Sequence, residues 1–254
     1  MMKVSEFCKN ALILNGCADG EEDSQIRSYL EPDHTFEDFN KYLTNAIRYG
    51  NIGLFKNFLL EITHFFFNTE SKNHTSAFLH LYRALELISY SFPLYYASKS
   101  KSYHGTYNKL KDFFKSGGDG ERAFLKDFVN NHLFRNEPSL DTRLSIKFTS
   151  SNPIIQRQHF DVTLKIANSP KSGIEILDNT EYSEIVTKRR SLISLMIATR
   201  NRHFHLLEGD FQENITSVES YYFDDYFKDL NMIFCNWIAQ IFFKILHSAI
   251  EQEK

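Results

Sequence analysis

This sequence is poor in the residues that break or crosslink a fold. Its 254 residues include 10 glycines, 5 prolines and 3 cysteines. So few glycines and prolines favour long packed elements over a loop-rich scaffold. The cysteines, Cys8, Cys17 and Cys235, form neither a CxxC pair nor a ligand cluster. A sparse, odd number of cysteines argues against a disulfide-bonded secreted protein and predicts a reducing, cytoplasmic location.

Excess charge and membrane-directed segments are lacking as well. The net charge is −3, so no global basic field favours nucleic acid, and any RNA contact depends on a local patch. Glu6 and Lys9 interrupt the apolar residues of the N-terminus, which argues against a signal peptide. The most apolar stretch, Met232–Leu246, is too short and too polar to span a bilayer comfortably. We therefore expect no membrane partner.

Hydrophobic residues, by contrast, are abundant. They make up 42% of the chain, and 24 phenylalanines and 13 tyrosines supply ample material for a packed core. Apolar residues recur at helical spacing through most of the sequence, which predicts an N-terminal extension over 1–33 and one helical domain over 34–254. The predicted helices are Val4–Leu14, Phe36–Tyr49, Ile52–Phe67, Asn73–Phe92, Tyr107–Phe114, Glu121–Leu133, Tyr182–Thr199 and Tyr221–Ile250.

One region departs from the helical pattern. Apolar residues alternate with polar ones over Leu144–Phe148 and again over Phe160–Ile166, and Gly173–Leu177 adds a third short piece. Alternation is typical of half-buried strands. We therefore predict an all-α fold with a small β-ribbon inserted at about residues 140–178.

The residues best suited to chemistry lie in the hexapeptide Arg200–His205. It places two arginines, two histidines and one asparagine directly after an apolar run, where burial normally selects against such groups. Histidine transfers protons near neutral pH, and arginine offers a planar fork of donors to phosphate oxygens. Asparagine can hold a hydroxyl or fix the tautomer of an imidazole. This set of groups suits the cleavage of a phosphodiester.

The spacing within the hexapeptide restricts how its side chains can meet. Asn201 and His205 are four residues apart, so a continuous helix puts them on one face. Arg200 is about 140° from His205 around the same helix at about 100° per residue. Both side chains reach one substrate only if the helix end bends or a partner subunit contributes.

Two other interpretations of the hexapeptide remain open. His203 and His205 form an H-x-H pair, but no nearby Asp, Glu or Cys completes a metal site, so we predict neither metal nor cofactor. Alternatively, the hexapeptide is simply a helix C-terminus whose cations complement the helix dipole. Composition alone favours this second interpretation.

Two further clusters of charge have structural and functional interpretations. Arg83 and Glu86 are three residues apart, so they form either a surface pair or a carboxylate that orients a basic group on a neighbouring helix. A second, locally basic region shows no recognisable nucleic-acid-binding motif, so we interpret it as a solvated face. Its residues are Lys99, Lys101, Lys109, Lys111 and Lys115.

Arg200-Asn201-x-x-x-His205 resembles the R-x4-6-H motif of the HEPN superfamily (higher eukaryotes and prokaryotes nucleotide-binding), including the polar residue that follows the arginine. The motif lies late in the chain, at a helix end, before a closing helix. The segment Leu81–Leu87 is similar to the acidic-residue helix of ApeA-like and other abortive-infection HEPN proteins. The resemblance covers roughly residues 35–252.

This resemblance implies a helical bundle that dimerises and a metal-independent endoribonuclease that leaves a 2′,3′-cyclic phosphate. His205 would be the acid–base group, Arg200 the phosphate clamp, Asn201 the positioning residue and Glu86 an orienter of Arg200. Further RNA contacts are expected from the neighbouring basic residues Arg202, His203, Lys188 and Arg189.

The family also implies a biological setting, namely bacterial toxin–antitoxin and antiviral defence systems that cut RNA such as tRNA or mRNA. In one regulated version a tyrosine stands two residues after the motif histidine, where this chain has Leu207. Control by that kind of antitoxin is therefore not expected, and activation would depend on another partner, a sensor protein or the N-terminal segment. The alternatives are a non-catalytic HEPN-like module that binds RNA or protein, and an oligomerisation scaffold.

Overall fold

The structure, a computed structural model, describes residues 41, 44–45, 52–115, 119–135, 137–169, 172–204, 214–216 and 219–252. These residues form a mainly helical fold with a small antiparallel sheet, which confirms the predicted class at that level. The predicted helix Val4–Leu14 and the whole 1–33 extension lie outside the described residues, as does most of Phe36–Tyr49. The elements are α1 (Ile52–Glu70), α2 (His74–Ser89), α3 (Phe92–Lys99), α4 (Tyr103–Lys115), α5 (Asp119–Phe128), β1 (Arg143–Lys147), α6 (Pro153–Ala167), β2 (Ile176–Thr180), β3 (Glu184–Lys188), α7 (Leu192–Phe204) and α8 (Phe223–Gln252).

Helices α1 and α2 form a hairpin, as the two predicted helices in this region require. The turn between them includes Lys72 with a φ of 59°. Asn73 caps α2, and its side-chain oxygen accepts a hydrogen bond from the backbone N–H of Ser76 at 3.2 Å. That bond satisfies one of the backbone donors left free at a helix start, and it fixes where α2 begins.

The long helix α8 lies in the core and packs against this hairpin. Phe242 stacks on Phe58 of α1 with 4.3 Å between ring centroids, and Phe227 stacks on Phe78 of α2 at 4.5 Å. Residues Phe223–Ser248 are long and apolar enough to cross a membrane, but 61% of the most apolar window is buried inside this fold. Burial of that extent is typical of a core helix, and it explains why the helix is apolar on several sides.

One predicted strand, Phe160–Ile166, is wrong, because this segment belongs to helix α6. Asn152 caps the helix through its side-chain oxygen and the N–H of Ile154 at 3.0 Å, and Pro153 occupies the first turn, where no N–H is needed. The buried face includes His159 and Thr163, two polar residues spaced at a helical interval. Because both are polar, counting only apolar residues conceals the helix and leaves an apparent alternation.

The sheet itself is real, but its bounds differ from the predicted ribbon of 140–178. All three strands are antiparallel in the order β1-β3-β2, and helix α6 lies between β1 and β2 in sequence. The predicted helix that begins at Tyr182 is therefore wrong over Glu184–Lys188, because these residues form strand β3. Burial alternates along β3, where Ile185 and Thr187 are buried, and β-branched side chains fit such a pleated surface. Helix α7 begins only at Leu192, after a 3-10 turn over Arg189–Ser191.

Candidate functional site

Helix α7 carries Arg200 to Phe204, the first five residues of the hexapeptide. Its first six residues, from Leu192 to Ile197, are all buried, so the helix is anchored in the core before the polar residues begin. The side chains with candidate chemistry thus project from the last turn of a firmly packed element. His205, the predicted acid–base group, lies outside the described residues.

Arg200 is half-buried, and contacts with its neighbours hold its guanidinium in place. The guanidinium carbon lies 5.0 Å from the ring centroid of Tyr82 on α2, which is within the range of a cation–π interaction. The same group donates a hydrogen bond from Nη1 to the side-chain oxygen of Asn201 at 3.2 Å. A guanidinium has five N–H donors, so this geometry orients the group and leaves donors for an anion.

Glu86, the predicted orienter of Arg200, lies on the helix that Arg200 contacts. Phe78 of α2 stacks on Phe204 with 6.1 Å between centroids, while Tyr82 contacts Arg200, so α2 and the end of α7 run antiparallel. Glu86 is one turn beyond Tyr82 on the same side of α2.

Glu86 is exposed and lines an open surface pocket between α1 and α2. Arg83, its predicted partner, is exposed and lines the same pocket. The orienting role of Glu86 and its pairing with Arg83 stay predictions. The pocket residues are Asn57, Leu60, Glu61, Arg83, Glu86, Leu87 and Tyr90.

His203 is half-buried, and aromatic rings form a cage around its imidazole. Its ring centroid is 4.9 Å from that of Phe223 and 5.2 Å from those of Tyr226 and Phe227. Both ring nitrogens are shut off from solvent, and burial, with a smaller effect of His159, lowers the pKa of His203 to about 3. In this position the ring of His203 faces aromatic side chains, and its predicted contact with RNA stays a prediction.

Arg202 is buried as well, with 8% of its surface exposed. Its backbone carbonyl accepts a hydrogen bond from the N–H of Ile215 at 3.1 Å. The side chain of Arg202 is enclosed, and its predicted contact with RNA stays a prediction. The two arginines of the hexapeptide thus have different surroundings.

Lys188 and Arg189, the other predicted RNA contacts, lie at the opposite end of α7. Lys188 pairs with Glu175 at 2.9 Å, and the backbone N–H of Arg189 donates to the carbonyl of Thr142 at 3.2 Å. The helix axis from Leu192 to Arg200 is about 12 Å long at about 1.5 Å per residue. The structure therefore does not bring these two residues together with Arg200.

Sequence reasoning missed a buried polar layer beneath the hexapeptide. His159 and Thr163 of α6 face Tyr226 of α8, whose hydroxyl accepts a hydrogen bond from Thr163 Oγ1 at 3.3 Å. Thr199 and His203 of α7 complete the layer, and burial raises the pKa of Tyr226 to about 12. The signal in the sequence is the repeated spacing of four, His159 to Thr163 and Thr199 to His203, which places each pair on one helical face.

Among the described residues, no group of three or more His, Cys, Asp or Glu side chains is arranged to hold a metal ion. Comparisons with protein-family models, with curated proteins and with solved structures give no match to this chain. The resemblance to the HEPN superfamily therefore stays a prediction, which depends on the hexapeptide and its helical surroundings.

Proposed function

We propose that this protein is a metal-independent endoribonuclease of the HEPN type that acts in a bacterial defence or toxin–antitoxin system. The observation that carries the proposal is the fixed guanidinium of Arg200, oriented by Tyr82 and Asn201 at the end of a buried helix. An arginine held in this way suits a negatively charged phosphate, because little side-chain freedom remains to be lost on binding.

In the proposed reaction, the 2′-hydroxyl of RNA attacks the adjacent phosphorus. His205 accepts the proton of the 2′-hydroxyl and returns it to the leaving 5′-oxygen, so the P–O5′ bond breaks as the P–O2′ bond forms. Arg200 stabilises the charge that builds up on the phosphate oxygens, and Asn201 positions Arg200. The products are a 2′,3′-cyclic phosphate and a 5′-hydroxyl end.

A homodimer would bring two such helix ends to one RNA cleft, and an antitoxin or sensor protein would control the activity. The runner-up is a HEPN-like bundle that binds RNA or a partner protein without cutting. It differs from the first proposal in product chemistry, since binding alone creates no new RNA ends.

The test is incubation of the purified protein with total RNA, tRNA included, in excess EDTA. We expect fragments with cyclic phosphate ends from wild type and none from His205→Ala. His64→Ala is the matched control, because His64 is exposed and lies on α1. Cleavage that persists in His205→Ala would contradict the assigned site, and RNA binding with intact RNA in every sample would favour the runner-up.

A further inference from the structure

Helix α4 carries two exposed tyrosines. Tyr103 is 96% exposed and Tyr107 is 63% exposed. They are four residues apart, so they lie on one side of the helix about 6 Å apart along its axis. Lys111 extends the same stripe by another turn, and its ammonium lies 5.9 Å from the ring centroid of Tyr107. We call these three residues the α4 stripe.

The surroundings of the α4 stripe are basic. From Ile88 to the end of α4 at Lys115 the sequence has one acidic residue, Asp112, and five lysines, which are Lys99, Lys101, Lys109, Lys111 and Lys115. Lys101 is exposed, and Lys109 pairs with Asp127 of α5 at 2.6 Å. The two exposed tyrosines therefore lie in a segment with more lysines than carboxylates, in a protein whose overall charge is negative.

This combination matches the chemistry of single-stranded nucleic acid. Bases stack on aromatic rings, and a positively charged surface follows the phosphates. A second copy of this chain fits less well, because a two-fold interface would set one lysine-rich face against the same face of its partner. The lysines thus favour a negatively charged polymer, and the tyrosines favour one that carries flat bases, as single-stranded nucleic acid does.

We propose that the α4 stripe binds single-stranded RNA, with one base on each of Tyr103 and Tyr107 and a phosphate on Lys111. The inference deepens the proposed ribonuclease by naming where its substrate docks, and in that sense it rests on the proposed function. Binding on α4 is nevertheless measurable without cleavage. The solvated face predicted from the lysines alone becomes a binding surface once the tyrosines are seen to share it.

The experiment measures fluorescence anisotropy of a labelled oligouridylate with the full chain carrying His205→Ala, in EDTA. In that background, Tyr103→Ala and Tyr107→Ala should each weaken binding roughly tenfold, the usual loss for one stacked base. Phenylalanine at either position should keep the affinity, because stacking needs the ring and not the hydroxyl. Tyr221→Ala is the matched control, since Tyr221 is 66% exposed but close to Asp224 and Asp225.

Unchanged affinity in the two alanine variants would overturn the proposal, as would equal losses from phenylalanine and alanine. A dimer that dissociates in these variants while RNA affinity stays constant would overturn it too and make the surface an interface between copies. Lys111→Gln should reduce the slope of log affinity against log salt concentration by about one, which corresponds to the loss of one phosphate contact. If RNA binds through α4 and wild type leaves it uncut, the docking proposal stands and the ribonuclease proposal fails; cleavage without any effect of the α4 variants shows the reverse.

Discussion

Arg200 and Arg202 stand two residues apart on helix α7, and they have opposite environments. Arg200 is half-buried against Tyr82 and contacts Asn201, whereas Arg202 is 8% exposed. Two residues turn a helix by about 200°, which places the two guanidinium groups on opposite sides. Thr199, Arg202 and His203 follow the spacing of an inward face. The difference shows that helical phase, and not residue type, decides which of these polar groups is available to a substrate.

The largest loss of stability is expected from a substitution in the aromatic cage that packs against the buried side of α7. Phe227 is fully buried and packs against His203 and Phe78. Phe227→Ala should lower the free energy of unfolding by about 3–5 kcal/mol, because it removes apolar burial and leaves a cavity. Urea denaturation measures the loss, and Phe67→Ala, at a position that is 65% exposed, is the control. Equal losses in both variants would mean that the aromatic cage is not packed as described.

Acid should destabilise the same buried contacts, because it protonates His203. The pKa of His203 is lowered from 6.5 to about 3 by burial, so the unfolded chain binds more protons between these values. The contribution of His203 is fully present above pH 6.5 and is lost as the pH falls toward 3, by up to several kcal/mol.

Denaturation midpoints measured over this pH range test the effect, and His203→Leu should flatten the curve. Some slope should remain, since burial also lowers the pKa of His159. His64→Ala removes an exposed histidine and is the matched control. A curve that is equally steep with and without His203 would contradict its buried, neutral state.

A smaller effect is expected at the buried polar layer. Tyr226→Phe removes the hydroxyl that accepts the Thr163 hydrogen bond at 3.3 Å. Thr163 still donates to the carbonyl of His159 at 2.9 Å, so no severe loss of pairing follows. We expect the free energy of unfolding to fall by about 1 kcal/mol. A loss as large as that of Phe227→Ala would show that the layer contributes far more than one hydrogen bond.

The smallest change in stability is expected from a substitution at the contact between Arg200 and Tyr82, on the side of α7 that faces away from the aromatic cage. Tyr82→Leu removes the ring beneath Arg200 and should lower the free energy of unfolding by about 0.5–1 kcal/mol. It should reduce RNA cleavage far more, because Arg200 loses its orientation. Tyr182→Leu is the matched control, since Tyr182 lies 4.6 Å from the Arg157 guanidinium. Cleavage that falls equally in both variants would contradict a specific role for Tyr82.

The helices can be predicted from the sequence wherever their buried residues are also apolar. In α1, α2 and α8 the buried residues are mostly apolar, and spacing alone locates these helices. Helix α6 could not be found in this way, because His159 and Thr163 complete its buried face and neither is apolar. The sequence pattern extends the following helix over strand β3, because Ile185 and Val186 fit both periods over so short a run.

The sequence predicts which residue types form the candidate site, but it says less about how their side chains are arranged. Residue types identify the hexapeptide, but they predict Arg202 and His203 as surface groups. Their burial depends on the cage built by α8, which is distant in sequence. Tyr82 was unpredicted as a partner of Arg200, because contact between α2 and α7 is a property of the packed fold.

The most direct test of the outward role of Arg200 compares it with a similar arginine elsewhere. Arg157 also lies over a tyrosine ring, at 4.6 Å from Tyr182, and its side chain is 60% exposed. RNA cleavage in EDTA should fall at least about a hundredfold in Arg200→Ala, with the free energy of unfolding lowered by only about 0.5–1 kcal/mol as in Tyr82→Leu, and should stay at the wild-type rate in Arg157→Ala. Equal cleavage by Arg200→Ala and Arg157→Ala would contradict the assignment of Arg200 as the phosphate clamp.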